Sequence, residues 1–237
     1  MDAYLSLISF GPGGWGALLL KGAGITIALA VTTLPFGLAL GLAVAMAAQS
    51  RRRWLRAAAI AFTTMFRALP ELLTLYLVYF GLTAALQKLW RALGLDGAVD
   101  LPPFAAGVIA LGLVVAAFSS EVWVGALNAV PSGQRESARA VGLSSWQAFR
   151  LVELPQLWRV ALPGIGNSWM VLLKDTSLVS VITLPELMFV TSRANVVTKQ
   201  AFFFFGFASL VYLAFSLAST AVLSRLEWRA ARGYRGR

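Results

Sequence analysis

From Gly22 to Ser50 the chain runs for 29 residues without a charged side chain, from Leu101 to Ser120 for 20, and from Gln200 to Ser224 for 25. About 20 apolar residues in a helix cross the ~30 Å hydrocarbon layer of a bilayer. Each run is therefore long enough to span a membrane. Composition agrees: 59% of the 237 residues are hydrophobic, only 13% are charged, and mean hydropathy is +0.76. A soluble domain carries roughly a quarter charged residues. The expected fold class is all-α and integral to the membrane.

Five membrane segments are expected, over about Ala17 to Ala48, Ala57 to Gln87, Pro102 to Asn128, Trp158 to Val181 and Gln200 to Leu223. The fourth is interrupted by Pro163, Gly164 and Gly166. Residues 1–237 read as a single transmembrane domain, with no low-complexity stretch or clear internal repeat. The first 20 residues hold no Lys or Arg, so no cleavable signal peptide is expected ahead of the first span. Trp15, Trp54, Trp90, Trp158 and Trp228 fall near segment ends, where indole rings anchor at the interface.

A net charge of +10 can signal a nucleic-acid partner, but its placement points to a membrane. Arg51, Arg52, Arg53 and Arg56 follow the first segment; Arg135, Arg139, Arg150 and Arg159 flank or occupy the connection between the third and fourth. Arg225, Arg229, Arg232, Arg235 and Arg237 close the chain. The opposite side has Lys88, Arg91, Arg193 and Lys199, with Lys21 near the first entry. Positive residues collect on the cytoplasmic side, so the N-terminus is expected outside and the C-terminus inside. The chain has no Cys and no His. Thiol nucleophiles, imidazole bases and the usual zinc ligands are thus missing, which disfavours an intramembrane protease. No metal or cofactor is expected.

Ionisable groups at membrane depth are expensive and face a cavity or a partner. Arg67 and Glu71, in FRALPELLTLYLVYFG, are four residues apart and on one face if that segment is a continuous helix. Pro70 between them frees the carbonyl of Phe66 and kinks the helix. Two readings stand: a structural Arg67–Glu71 ion pair, or Glu71 facing a translocation path. Glu121, in AFSSEVWVGAL, follows the 20-residue apolar run; it either meets a cationic substrate or is an interfacial charge. In LPGIGNSWMVLLKDTSLVSVITLPEL, Asn167 and Asp175 are further candidates for the path, while Lys174 offers a neutralising partner.

The connection over about residues 130–157 is polar and basic between two apolar segments. A short helix is expected there, with Ala138, Val141, Trp146 and Phe149 on its apolar side. Ser132 suits its N-cap, and Gln134 and Glu136 suit its first turn. Gly142 permits a sharp turn or a close backbone approach, and Pro155 sets where the next helix begins. Glu136, Ala138, Gly142, Val152, Leu154 and Pro155 match E-x-A, three residues, G, nine residues, aliphatic-x-L-P.

That pattern resembles the EAA loop of bacterial ABC importer permeases. FRALPELLTLYLVYFG, FSSEVWVGALNAVPSGQ and ALPGIGNSWMVLLKDTSLVSVITLPEL also look like segments of the polar amino acid permeases, chiefly the histidine, lysine/arginine/ornithine and opine branch. The resemblance implies a type I importer permease fold, with five transmembrane helices and a cytoplasmic coupling helix. Glu136, Ala138, Gly142, Leu154 and Pro155 would contact the motor. It further implies a cytoplasmic ATPase dimer, a second permease subunit (commonly making a heterodimer), a periplasmic amino acid-binding protein, and an inner-membrane location. ATP hydrolysis would belong to the partner, so the chain is not expected to be an enzyme. The cargo would be a polar, basic amino acid such as histidine, arginine, lysine or ornithine, or an opine. Ser137 stands at the second alanine of the EAA triplet, Ala68 where a glycine is usual, and Val124 where an arginine is frequent. Two other readings remain: an ion-coupled secondary transporter relaying through Glu71 and Glu121, and a structural half that supplies coupling while its partner binds substrate.

Overall fold

The structure is a computed structural model, described for residues 6–97 and 99–232. The described residues form helices joined by short connections and contain no strand. Helix α1 covers Gly16–Ala48, α2 Arg53–Ala68, α3 Glu71–Ala92 and α4 Pro103–Ala129. After α4 come two short helices, α5 (Ser132–Ala140) and α6 (Ser145–Ala148), and a π-helical turn, Phe149–Glu153. Helix α7 follows (Leu154–Asp175), then a 3₁₀ segment (Thr176–Ile182), α8 (Leu187–Thr198) and α9 (Ala201–Arg232).

Helices α1, α3, α4 and residues Ala201–Ala230 of α9 are each long and apolar enough to cross a bilayer. The 22 residues of α7 rise about 33 Å, which also suffices. Its charges sit near its ends, at Arg159, Lys174 and Asp175, so α7 supplies the fifth crossing.

Helix α4 is the most buried element, and α1 lies tightly against it. Gly37 and Gly41, four residues apart, make this approach possible. A Cβ on Gly37 would meet Val115 Cγ1 at 2.5 Å, and one on Gly41 would meet Ser119 Oγ at 2.2 Å. In lipid, where helices gain little by hiding apolar surface, small residues let backbones pack closely enough for dispersion to hold them. The Trp123 indole N–H donates to the Leu38 carbonyl at 3.1 Å, fastening the same pair of helices. One core cluster joins Leu29, Leu75, Leu111, Leu173 and Val179 from α1, α3, α4, α7 and the 3₁₀ segment. A second packs Leu19 of α1 against Leu187 and Phe204 of α8 and α9; a third packs Leu38, Trp123, Leu157 and Ile165.

The second membrane segment differs from expectation. It is two helices, α2 and α3, rather than one from Ala57 to Gln87. Leu69 sits in the extended region at φ −83° and ψ 139°. Proline disfavours the helical region for the residue before it and has no N–H for the i−4 carbonyl. Pro70 therefore ends α2 instead of kinking a continuous helix, and it N-caps α3. Arg67 and Glu71 consequently do not share one helical face.

Candidate functional site

Two regions carry the sequence-predicted residues: the loop from α4 to α7, and charges within the helix bundle.

In the loop, Pro131 rather than Ser132 is the N-cap of α5, and its carbonyl accepts from Gln134 N–H at 3.0 Å. Ser132 is already helical, and Glu136 falls beyond the first turn. The expected Ser132 cap and the first-turn role of Glu136 are therefore corrected. Proline offers no side-chain acceptor, so no side-chain cap forms there, and the Gln134 amide is met by the Pro131 carbonyl instead. Gly142 closes α5 with φ +88°. Its N–H donates to Arg139 O at 3.0 Å, and Leu143 N–H donates to Ala138 O at 3.1 Å. These paired bonds make a Schellman ending, which needs the left-handed conformation glycine adopts most cheaply. A Cβ there would meet nothing within 4 Å, so the turn explains this glycine and close approach within this chain does not. Ser144 then starts α6 with a reciprocal capping box to Gln147.

The π turn after α6 carries Glu153 inward. Its side chain is 6% exposed, and Arg135 of α5 grips both carboxylate oxygens, Nε to Oε1 at 2.7 Å and Nη2 to Oε2. The bond to Glu153 raises the Arg135 pKa further above its ordinary value. Gln156 Nε2 also donates to Gln134 Oε1 at 3.3 Å. The loop is thus clamped onto the start of α7, where Leu154 is half-buried and Pro155 fits the first turn. The apolar side expected of the loop divides. Ala138 is buried and Phe149 packs toward the α1–α4–α7 cluster, whereas Val141 is 78% and Trp146 66% exposed. Trp146 stacks on Phe149 at 6.0 Å between ring centroids. Val141, Trp146 and Leu151 are exposed, as are Glu136, Arg139 and Arg150, so the loop offers both apolar and charged side chains to solvent.

Within the bundle, Arg67 pairs with Glu121 of α4 at 2.9 Å, not with Glu71, and its guanidinium lies 5.6 Å from the Phe118 ring centre. Glu121 is eight residues from the loop end of α4 and eighteen from the other. At 1.5 Å per residue it is about 12 Å and about 27 Å from those ends, within the hydrocarbon thickness. The pair remains half-exposed, at 44% and 54%. Glu71, in the first turn of α3, lies within electrostatic reach of Asp175 at the end of α7, with Lys174 beside it. Gly164 of α7 packs on Val122 of α4. Asp175 is eleven residues farther along, about 16 Å, at the far end of α7. The structure thus places Glu121 with Arg67 and leaves Glu71 and Asp175 no more than within electrostatic reach of each other. Asn167 is exposed about 12 Å down α7 from Asp175.

Two acidic residues escaped sequence reasoning. Glu153 occupies the unspecified position of aliphatic-x-L-P, and its arginine is 18 residues away, so no periodicity links them. Glu186 is fully buried at the N-cap of α8, accepting from Phe189 N–H at 2.7 Å and Met188 N–H at 2.9 Å. Thr26 of α1 and Tyr212 of α9 also donate to it, at 3.2 and 3.3 Å, so one carboxylate ties three helices. Glutamate is not a preferred N-cap, which left Glu186 without a local signal.

Residues 37–232 match the family described as binding-protein-dependent transport system inner membrane components. The chain is 40% identical over 232 residues to the octopine transport system permease protein OccQ of Rhizobium meliloti, covering 98% of each. It is 41% identical over 226 residues to the arginine ABC transporter permease protein ArtQ of Escherichia coli K12, covering 90% of this chain and 95% of that one. Among solved structures it resembles an amino acid ABC transporter crystallised with histidines, with TM-score 0.74 and 28% identity over 91% of this chain and 95% of the other. The fold is also that of the inward-facing MetNI methionine ABC transporter, at TM-score 0.68 and 18% identity over 90% of this chain and 96% of that one.

Proposed function

The chain belongs to the family of binding-protein-dependent transport system inner membrane components, and from that premise we propose that it carries cationic amino acids or opines through a path it shares with a second permease subunit. It is a multi-pass inner-membrane permease, not the hydrolytic subunit. A cytoplasmic ATPase and a substrate-binding protein complete such a system. The N-terminus faces the periplasm, and the C-terminus and the α5–α6 loop face the cytoplasm, in keeping with the clustered arginines.

The observation that carries this reading is the half-exposed Arg67–Glu121 pair at hydrocarbon depth. Insertion measurements put an Arg or Asp at a helix centre about 2.5–3.5 kcal/mol uphill. Two such groups do not face lipid. The surface they occupy borders a partner subunit and a water-lined passage. Glu121 already holds a guanidinium, so the acids open to cargo are Glu71 and Asp175, with Asn167 farther along the path. One guanidinium–carboxylate contact at 4 Å and an effective dielectric near 20 is worth about 4 kcal/mol before desolvation. Cations are thereby preferred over neutral amino acids. Opines and arginine both carry a positively charged group, which accords with the octopine and arginine for which OccQ and ArtQ are named.

At the loop, Glu136, Ala138, Gly142, Leu154 and Pro155 shape the element that the ATPase grips. Exposed Val141 and Trp146 provide its apolar contact. Uptake by the reconstituted importer tests the path. Glu71→Leu together with Asp175→Asn lowers arginine or lysine uptake relative to glutamine by about tenfold or more. Unchanged discrimination defeats the assignment and favours the reading in which the partner subunit alone holds the cargo.

A further inference from the structure

A groove of about 1000 Å³ runs along the outside of the bundle between α1, α4, α7 and α9. Its walls are Leu34, Leu38 and Leu42 of α1, Trp123 of α4 and Trp158 of α7. At its loop end stand Arg159 of α7 and Arg229 of α9. Neither arginine forms an ion pair among the described residues, where the only pairs are Arg67–Glu121 and Arg135–Glu153. Glu227, a near acid on α9, lines a different cavity of about 500 Å³, which Arg159 also borders.

We infer that this groove binds one anionic glycerophospholipid, its phosphate held between Arg159 and Arg229 and an acyl chain lying along Leu34, Leu38 and Leu42. Charge complementarity selects the occupant. Two guanidiniums without an ion-pair partner among the described residues, at the rim of an apolar channel, call for an anion with an apolar tail. Basic pockets between membrane helices on the cytoplasmic side take anionic headgroups in this way. Dimensions agree: residues 34 to 42 rise about 12 Å, close to the ~15 Å hydrocarbon depth of one leaflet. Trp158, half-exposed at the start of α7, lies at the level where indoles meet headgroups. The groove flanks the start of α7, to which Glu153 and Arg135 fasten the coupling loop, so an occupied groove braces the helix that moves with that loop.

Native mass spectrometry of the purified importer, complete with its ATPase, tests the site with phosphatidylglycerol and phosphatidylethanolamine as probes. The intact protein retains phosphatidylglycerol in preference. Arg159→Gln with Arg229→Gln weakens that binding about tenfold or more and leaves phosphatidylethanolamine unchanged. Arg225→Gln, on the same helix outside the groove, has no effect. Equal retention of both lipids by the unaltered protein overturns the proposal, whatever the fate of the variants. So does an undiminished phosphatidylglycerol preference in the double variant. Because the chain has no cysteine, Leu38→Cys gives it a single attachment point for a photoactivated crosslinker. Capture of phospholipid there supports the site. Capture of the second permease subunit shows that protein fills the groove and rejects it.

Discussion

Removing Arg135 should loosen the coupling loop more than removing the acid it holds. Glu153 is 6% exposed, whereas Arg135 is 59% exposed. Arg135→Ala strands a carboxylate where water scarcely reaches, and losing one partner of a fully buried pair is worth about 3–5 kcal/mol. Exposed pairs are worth only about 0.2–1 kcal/mol. This pair lies between those limits, so Arg135→Ala should destabilise the docked loop by about 1–3 kcal/mol, or about 5- to 150-fold in its opening equilibrium. Glu153→Ala leaves a guanidinium that solvent already covers by more than half, and its effect should stay near or below about 1 kcal/mol. The double variant should resemble Glu153→Ala. Hydrogen exchange of residues 132–153 in lipid nanodiscs reads these differences directly as lost protection. Equal losses in the two single variants, or a larger loss in Glu153→Ala, would refute the account of this clamp.

Pro70→Ala should let α2 and α3 fuse, bring Arg67 and Glu71 onto one face, and pull Arg67 from Glu121. A short bifunctional crosslinker between cysteines at 67 and 121 should then capture much less product than with Pro70 present. Gly142→Ala should cost about 1 kcal/mol of loop stability through its φ of +88° alone, while Gly142→Asn should be nearly silent by hydrogen exchange. Gly142→Asp meets open space in this chain, so loss of ATPase binding with intact membrane insertion would locate the obstruction on the motor's side. Tyr212→Phe should remove one bond to Glu186 and lower stability by about 1 kcal/mol, and Glu186→Ala should lower it by more, since two amides of α8 lose their acceptor. Thermal unfolding in detergent, followed by size-exclusion recovery, would rank them.

Much of the importer was legible in one dimension. Uncharged runs announced the spans because lipid leaves backbone groups no other partner, although α4 continues to Ala129 and α9 to Arg232, past the charges that end their runs. The spacing from Glu136 to Pro155 marked the loop because a turn at Gly142 and a helix start at Pro155 are local backbone requirements, stated by the residues that meet them. Pro70 was visible too, although whether it kinks or ends a helix depends on what surrounds it. Partner choice was different. Arg67 had an acid four residues away in Glu71 and another 54 away in Glu121. Only the approach of α2 to α4, once Leu69 became extended, decided for the second. Glu153 and Glu186 gained their roles in the same manner, from an arginine 18 residues distant and from hydroxyls on two other helices. Hydrophobicity and backbone preference act over a few neighbouring residues and survive in the order of the letters. Charge pairing and close helix contact depend on distances that exist only after the chain has packed.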